Sequence, residues 1–454
     1  MVRKHLTSII SRLSSLRAGA NRRFEKPRLL PNLPEPDDKS NVAIDTYEHR
    51  ALRYRRIRLL HLEPGKFEDP LHGRIGHYSL SRVYRDYEAL SYCWGDPTHI
   101  TRSKLYITDE DETLAKAYPW VARDDEKKSR CFPITPNLEI ALRHVRLSHQ
   151  ARTLWVDAIC INQNNLIEKA EQVYQMHKIY EDASRVLVWL GNANNAQRYG
   201  MEALRYIVNT PSRTFAPPWS VKAGSSLQDA LRSHMFREGL MELLASSWFQ
   251  RTWVVQEATL AHMVTLVCGH DAVSWAVHNV ENLRRIRKLA QFSAVSPKWT
   301  EAGLHDVNLD PFISLLERQI THRHSALSHG RLWGKNHGDI LDHMYALRHK
   351  AVSNPLDKIF ALQGVVKYSP TALPFPIDYT KSVDETYDRL YTEFALWKDT
   401  TTLYPLRWEY SGASGSLDPP IILLIAVAWV VVPGVLFLTV DFLFLIAGLW
   451  TDHA

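Results

Sequence analysis

Leu154-Trp-Val-Asp-Ala-Ile-Cys-Ile-Asn-Gln-Asn164 lies between two helical patterns, and its reading decides the fold. Residues 153–161 are β-branched and apolar, the composition of a strand buried on both faces. Upstream, Thr135-Pro136 is a helix entry, because Thr caps orphan N–H groups and Pro suits the first helical position. Leu138, Ala141, Leu142 and Val145 then share one helical face. Downstream, Val173, Met176, Tyr180 and Ala183 recur at helical spacing across residues 168–183, and residues 185–190 form a second buried strand closed by Gly191. The order helix, strand, helix, strand predicts a parallel sheet with helices on both faces.

Working outward, residues 57–62 read as a strand that stops at Pro64-Gly65, and residues 87–93 as another that stops at Gly95-Asp96-Pro97. A helix is expected from Trp248 to about residue 262, then a strand over 264–268. Residues 109–130 read as a charged exposed insertion and 192–234 as a loop-rich one. Residues 306–397 read as mainly helical, with turns at Pro355, Pro370, Pro374 and Pro376. The chain has 454 residues, 45% of them hydrophobic, which is enough to bury a full core. Its net charge of +6 is modest and concentrated in the first residues, so no nucleic-acid partner is expected. Cys93, Cys131, Cys160 and Cys268 are isolated, which suits reduced thiols in a cytosolic setting.

The ends differ from the body. Arg3, Lys4, Arg12, Arg17, Arg22 and Arg23 precede the first acid, Glu25, while Leu6, Ile9, Ile10, Leu13 and Leu16 fall on one helical face. That pattern suits a mitochondrial transit peptide, but a basic arm or a surface helix touching anionic lipid is the favoured expectation. Residues 421–440 are uncharged and apolar, and at about 1.5 Å per residue they would cover roughly 30 Å of bilayer. Pro433-Gly434 leaves both a kinked span and a re-entrant hairpin open. Lys398 and Arg407 precede the run and no Lys or Arg follows, so the expectation is a tail-anchored membrane protein with a cytoplasmic body.

Three blocks carry a family resemblance: Tyr87-Glu-Ala-Leu-Ser-Tyr-Cys-Trp-Gly-Asp-Pro-Thr98, Leu154 to Asn164, and Trp248-Phe-Gln-Arg-Thr-Trp-Val-Val-Gln-Glu257. In this order they resemble the heterokaryon-incompatibility (HET) domain of filamentous fungi, over roughly residues 87–258. Asn354-Pro-Leu-Asp-Lys-Ile-Phe-Ala-Leu362 and Ile377-Asp-Tyr379 resemble a segment that commonly follows it. The resemblance implies a role in fungal non-self recognition and programmed cell death, with an incompatibility partner protein. It also implies an α/β sheet of the TIR or flavodoxin type and self-association through the HET domain, to which the residue pattern adds a mainly helical region after it. The expected domains are a basic arm and linker (1–46), the HET domain (47–270), a helical region (271–417) and a transmembrane tail (418–454).

Trp253-Val-Val-Gln-Glu257 resembles the Trp-x-x-x-Glu segment of NAD-cleaving TIR enzymes, which makes Glu257 the candidate catalytic carboxylate and NAD a candidate substrate, with no resident cofactor. Ligands of open α/β sheets bind beyond the carboxyl ends of the strands. Tyr92, Trp94, Asp157, Asn162, Gln163 and Trp253 are therefore the candidate substrate-binding residues, the aromatics for stacking and the others for ribose hydroxyls. Plainer roles stand beside these: an ion-pair partner for Glu257, core packing for the tryptophans, capping for Asp157 and Asn162. Two mechanisms remain open at this point, NAD glycohydrolase chemistry and a TIR-like adaptor without turnover. His322, His324, His329, His337, His343 and His349 match no ordered metal motif, so no metal is expected.

Overall fold

The computed structural model describes residues 46–95, 103–109, 129–210, 217–221, 225–291, 297–327, 340–366 and 375–403. The basic amino-terminal segment and the apolar run at 421–440 lie outside them, as does most of the 109–130 insertion. Among the described residues no helix is long and apolar enough to cross a membrane. The chain divides into two units at Tyr387, and the sheet belongs to the first.

Nine strands form one sheet: β1 (Arg56–Leu62), β2 (Leu71–Ser79), β3 (Glu88–Tyr92), β4 (Ser103–Asp109), β5 (Arg130–Ile134), β6 (Arg152–Trp155), β7 (Val186–Trp189), β8 (Met263–Cys268) and β9 (Asp271–Ala276). Their spatial order is β5-β4-β2-β1-β6-β3-β7-β8-β9. The central strands β6, β3, β7 and β8 pair in parallel. Outside them the pattern is mixed: β2 and β4 also pair in parallel, whereas β1 runs antiparallel to both β2 and β6, β4 to β5, and β8 to β9. β1 turns into β2 through residues 63–70 and β8 into β9 through Gly269-His270, connections too short for the crossover that a parallel neighbour needs. Among the parallel strands the spatial order is second, first, third, fourth in the chain, so the winding direction reverses at β3.

The helices are α1 (Pro136–Val145), α2 (Asp157–Cys160), α3 (Leu166–Asp182), α4 (Asn195–Asn209), α5 (Leu227–Leu244), α6 (Trp253–Leu260), α7 (Val280–Gln291), α8 (Pro297–Glu301), α9 (Asp310–Leu327), α10 (Ile340–Ala346), α11 (Asp357–Phe360), α12 (Gln363–Val366) and α13 (Val383–Leu403). Thr135 caps α1 by accepting the Leu138 N–H at 3.3 Å, and Pro136 opens it. Leu138, Ala141, Leu142 and Val145 pack with Leu90, Tyr92, Leu154, Leu187 and Trp189 on one face of the sheet. On the opposite face α3 and α6 pack together, with Tyr180 edge-on to Trp155 at 5.4 Å. Alternation along β3 thus sends Tyr92 toward α1 and Ser91 toward α6. Trp155 and Trp189 are fully buried, and truncating either to Ala would cost about 3–5 kcal/mol.

Three sequence expectations change. The strand expected over 153–161 ends at Trp155, because Asp157 starts a helical turn with its side chain accepting the Ala158 N–H at 2.7 Å. The loop-rich reading of 192–234 gives way to α4 and the first two turns of α5. Asn194 and Gln197 close a reciprocal capping box on α4, and Gly200 meets Gly239 where the two helices cross so closely that a Cβ on either would strike the other backbone. The helix expected from Trp248 is split into a 3₁₀ turn (Ser247–Gln250) and α6, separated by Arg251-Thr252.

Candidate functional site

The carboxyl ends of β3 and β6 and the start of α6 meet where the sheet reverses its winding, the position at which open α/β sheets hold ligands. Ser91, near the end of β3, donates its hydroxyl to Glu257 Oε2 in a short hydrogen bond. The same hydroxyl accepts the Trp248 indole N–H at 2.7 Å. Arg251 lies 4.0 Å from the Glu257 carboxylate and donates to the backbone carbonyl of Tyr92. Beside this group, the Trp94 indole N–H donates to Asp157 Oδ2 at 2.7 Å, and Tyr92 also bonds Asp157. Asn137 on α1 donates to the Cys93 carbonyl at 2.6 Å and accepts the Trp189 indole N–H at 3.0 Å, which fixes the loop that carries Trp94.

Electrostatics single out the two acids. Desolvation raises the Glu257 pKa, the Arg251 guanidinium and the Ser91 bond oppose it, and the Asp157 charge adds to it. Asp157 is raised as well, by desolvation, against the opposing bonds from Trp94, Ala158 and Tyr92 and the charge of Arg251. Two neighbouring carboxylates with raised pKa values at strand ends are a pattern enriched at functional sites. Glu257 is only 2% exposed, whereas Trp94 is 37% exposed, so the cluster has a closed floor and an open lip.

The structure thus brings Tyr92, Trp94, Asp157 and Glu257 together and sets the other expected residues apart. Gln163 lies under the same loop, donating to the Asp157 carbonyl at 3.1 Å. Asn162 turns back on its own segment, its side chain accepting the Asn164 N–H at 3.1 Å. Trp253 faces away from the rim, its indole N–H donating to Asp357 Oδ2 at 3.0 Å. Sequence reasoning missed Ser91, Trp248 and Arg251 as site residues. All three stand inside the quoted blocks, but which side of the sheet each would face was not written in the spacing. Two concavities, about 530 and 1140 Å³, open elsewhere: one beside Arg198 and Arg205, the other along the outer side of α3 by Ile167 and Tyr174. Among the described residues no group of three His, Cys, Asp or Glu side chains is arranged to hold a metal ion.

Comparison with known proteins bears on the same residues. Residues 87–257, from the entry into β3 to the candidate carboxylate itself, match the family model of the heterokaryon incompatibility protein (HET). The chain is 28% identical over 277 residues to heterokaryon incompatibility protein 6, OR allele, of Neurospora crassa. That alignment covers 54% of this chain and 38% of the relative, so the chain spans well under half the length of the protein it matches. No solved structure matches it. The stretch from Tyr87 to Glu257, which holds three of the four central parallel strands and the polar rim, thus matches a heterokaryon-incompatibility (HET) domain.

Proposed function

We propose that this chain acts in fungal heterokaryon incompatibility through its HET domain, and that the rim around Glu257 is the working site, cleaving NAD to trigger cell death. The convergence of Ser91, Asp157 and Glu257, residues from three distant segments, at the reversal of the sheet carries this reading. The strand order of the parallel core supports kinship to the flavodoxin-like sheets of TIR domains. In the reaction the bond from ribose C1′ to the nicotinamide nitrogen breaks, and nicotinamide departs as a neutral ring with the bonding pair. Water adds to the oxocarbenium-like ribose and loses a proton to solvent. Glu257, in its ionised form and faced by Arg251, would stabilise the positive charge developing on the ribose. Trp94 offers the exposed aromatic face for a base, and Asp157 an acceptor for ribose hydroxyls.

The test is NAD consumption by the purified full chain and by its Glu257→Gln variant. Loss of about 10²–10³-fold in turnover is expected. Equal turnover by both proteins would remove Glu257 from the mechanism. A second reading is favoured by the burial of Glu257 at 2% exposure with its hydroxyl partner already in place. In it the cluster is a folding knot, and the domain is an adaptor that self-associates and recruits an incompatibility partner while the apolar run at 421–440 tethers it to a membrane. A self-associated sample without NAD turnover would establish that reading over the first, and membrane fractionation with and without residues 421–454 tests the tether.

A further inference from the structure

The segment Asn354-Pro-Leu-Asp-Lys-Ile-Phe-Ala-Leu362 and the later Tyr379 lie beyond the family match, and the proposed function gives them no task. Their contacts converge on the stretch that carries Trp248, Arg251 and Glu257. Ala351 pairs with this stretch in a short parallel bridge: its N–H donates to the Gln250 carbonyl at 2.6 Å, and its carbonyl accepts the Thr252 N–H at 3.0 Å. Lys350 Nζ donates to the Phe249 carbonyl at 2.6 Å. Lys358 ties that loop down in turn, donating to the carbonyls of Arg348 and Lys350.

Asp357 is the centre of the arrangement. One carboxylate oxygen accepts the Trp253 indole N–H at 3.0 Å, and the other accepts the Tyr379 hydroxyl at 2.9 Å. The Tyr379 ring packs edge-on to Phe360 at 5.1 Å and carries the Lys169 ammonium 4.7 Å from its centre. Asp357 therefore links α3, the start of α6 and the chain after α12. Gly364 adds a close approach: a Cβ there would collide with His177 of α3 and Gln256 of α6. Desolvation raises the Asp357 pKa against the opposing bonds from Trp253 and Tyr379, as expected for a carboxylate held inside a packed joint.

We infer that residues 348–366 and 375–379 form a brace that fixes the main chain at 249–253, and that Asp357 is a positioning residue setting where Arg251 and Glu257 stand against Ser91. Trp253 is the first residue of α6 and Glu257 lies one turn on, so a shift at the tethered indole is transmitted along one rigid turn. The HET site is thus completed by chain outside the family match. The effect on activity rests on the proposed function, whereas the effect on the geometry of α6 does not.

Hydrogen exchange read by mass spectrometry on the full chain tests the brace, with NAD turnover measured on the same samples. Asp357→Ala should speed exchange in 248–260 about tenfold while peptides from β3 and β7 stay as they are. Tyr379→Phe, which removes one hydrogen bond and keeps the ring, should speed it about threefold and guards against a variant that fails to fold. Asp357→Asn, which keeps an acceptor for the indole, should restore most of the protection. Turnover in Asp357→Ala should show kcat down about tenfold with KM held within about twofold. Unchanged exchange in 248–260, or an equal acceleration across the whole chain, would overturn the brace. Wild-type protein without turnover but with the local exchange pattern would sink the proposed hydrolase and leave the brace standing.

Discussion

Two glutamates face an arginine inside this protein, and their environments push them in opposite directions. Glu168, at the start of α3, meets Arg58 of β1 in a two-pronged pair, with Nη1 to Oε1 at 2.5 Å and Nη2 to Oε2 at 3.0 Å. Arg58 is wholly buried and also donates to the carbonyls of Cys160 and Arg50, while Glu168 Oε1 accepts the Asn162 N–H at 3.0 Å. Burial alone would raise the Glu168 pKa, but these bonds outweigh it and hold the carboxyl below its ordinary value. Glu257 has its guanidinium at 4.0 Å instead, one hydroxyl as donor and a second acid nearby, and its pKa rises. Direct bidentate contact makes a structural pin; a looser pair beside another carboxylate leaves a group whose proton can move.

Breaking the pin should have the largest effect. Arg58→Ala or Glu168→Ala leaves one charge buried and unpaired, at a cost of about 3–5 kcal/mol in urea unfolding. The double replacement Arg58→Met with Glu168→Leu should recover most of that loss; a double variant as unstable as the singles would mean that the pair supplies more than mutual neutralisation.

The contrast sharpens with pH. Glu257 has a folded pKa above its ordinary 4.5, so its contribution is fully present below that value and declines as pH climbs through the folded pKa. Glu168 is depressed, so its contribution is present above 4.5 and is lost as pH falls through its folded pKa. Unfolding free energies measured from acid to neutral pH should show Glu257→Gln gaining on the wild type as pH rises. Parallel profiles would mean that the two carboxylates do not differ in this way. The smallest effect belongs to the open lip of the site. Trp94→Phe keeps the ring and removes the donor to Asp157, and should cost about 1 kcal/mol at neutral pH, fading where Asp157 is protonated. The same cost at acid and neutral pH would assign it to lost packing.

Much of the central fold was legible in residue order. The periodicity of 136–145 and 168–183 and the apolar run at 185–190 were local signals and became the elements their patterns implied, whereas the run at 153–161 gave a strand only as far as Trp155. The antiparallel flanks were not legible, since Leu71–Ser79 carries glycines and polar residues that give little period of its own and Asp271–Ala276 is a six-residue strand at the sheet edge. The candidate site was half legible. Glu257, Asp157, Tyr92 and Trp94 could be named from motif and strand-end position, but Arg251 required the break in the helix that lets its side chain turn toward Tyr92.

By itself the sequence determined the helices at 136–145 and 166–182, the start of each central strand and the family that the 87–257 stretch matches, because periodicity, caps and motif residues act within a few positions of one another. Tertiary structure alone decided that Ser91 and Tyr92 point to opposite faces with different acids beside them. It also decided that Asp157 and Glu257 share one rim, and that Trp253 is held by Asp357 from beyond the domain. Those outcomes depend on strand order and on which helix covers which face. Both are set by burial summed over the whole sheet, and no local stretch encodes that sum.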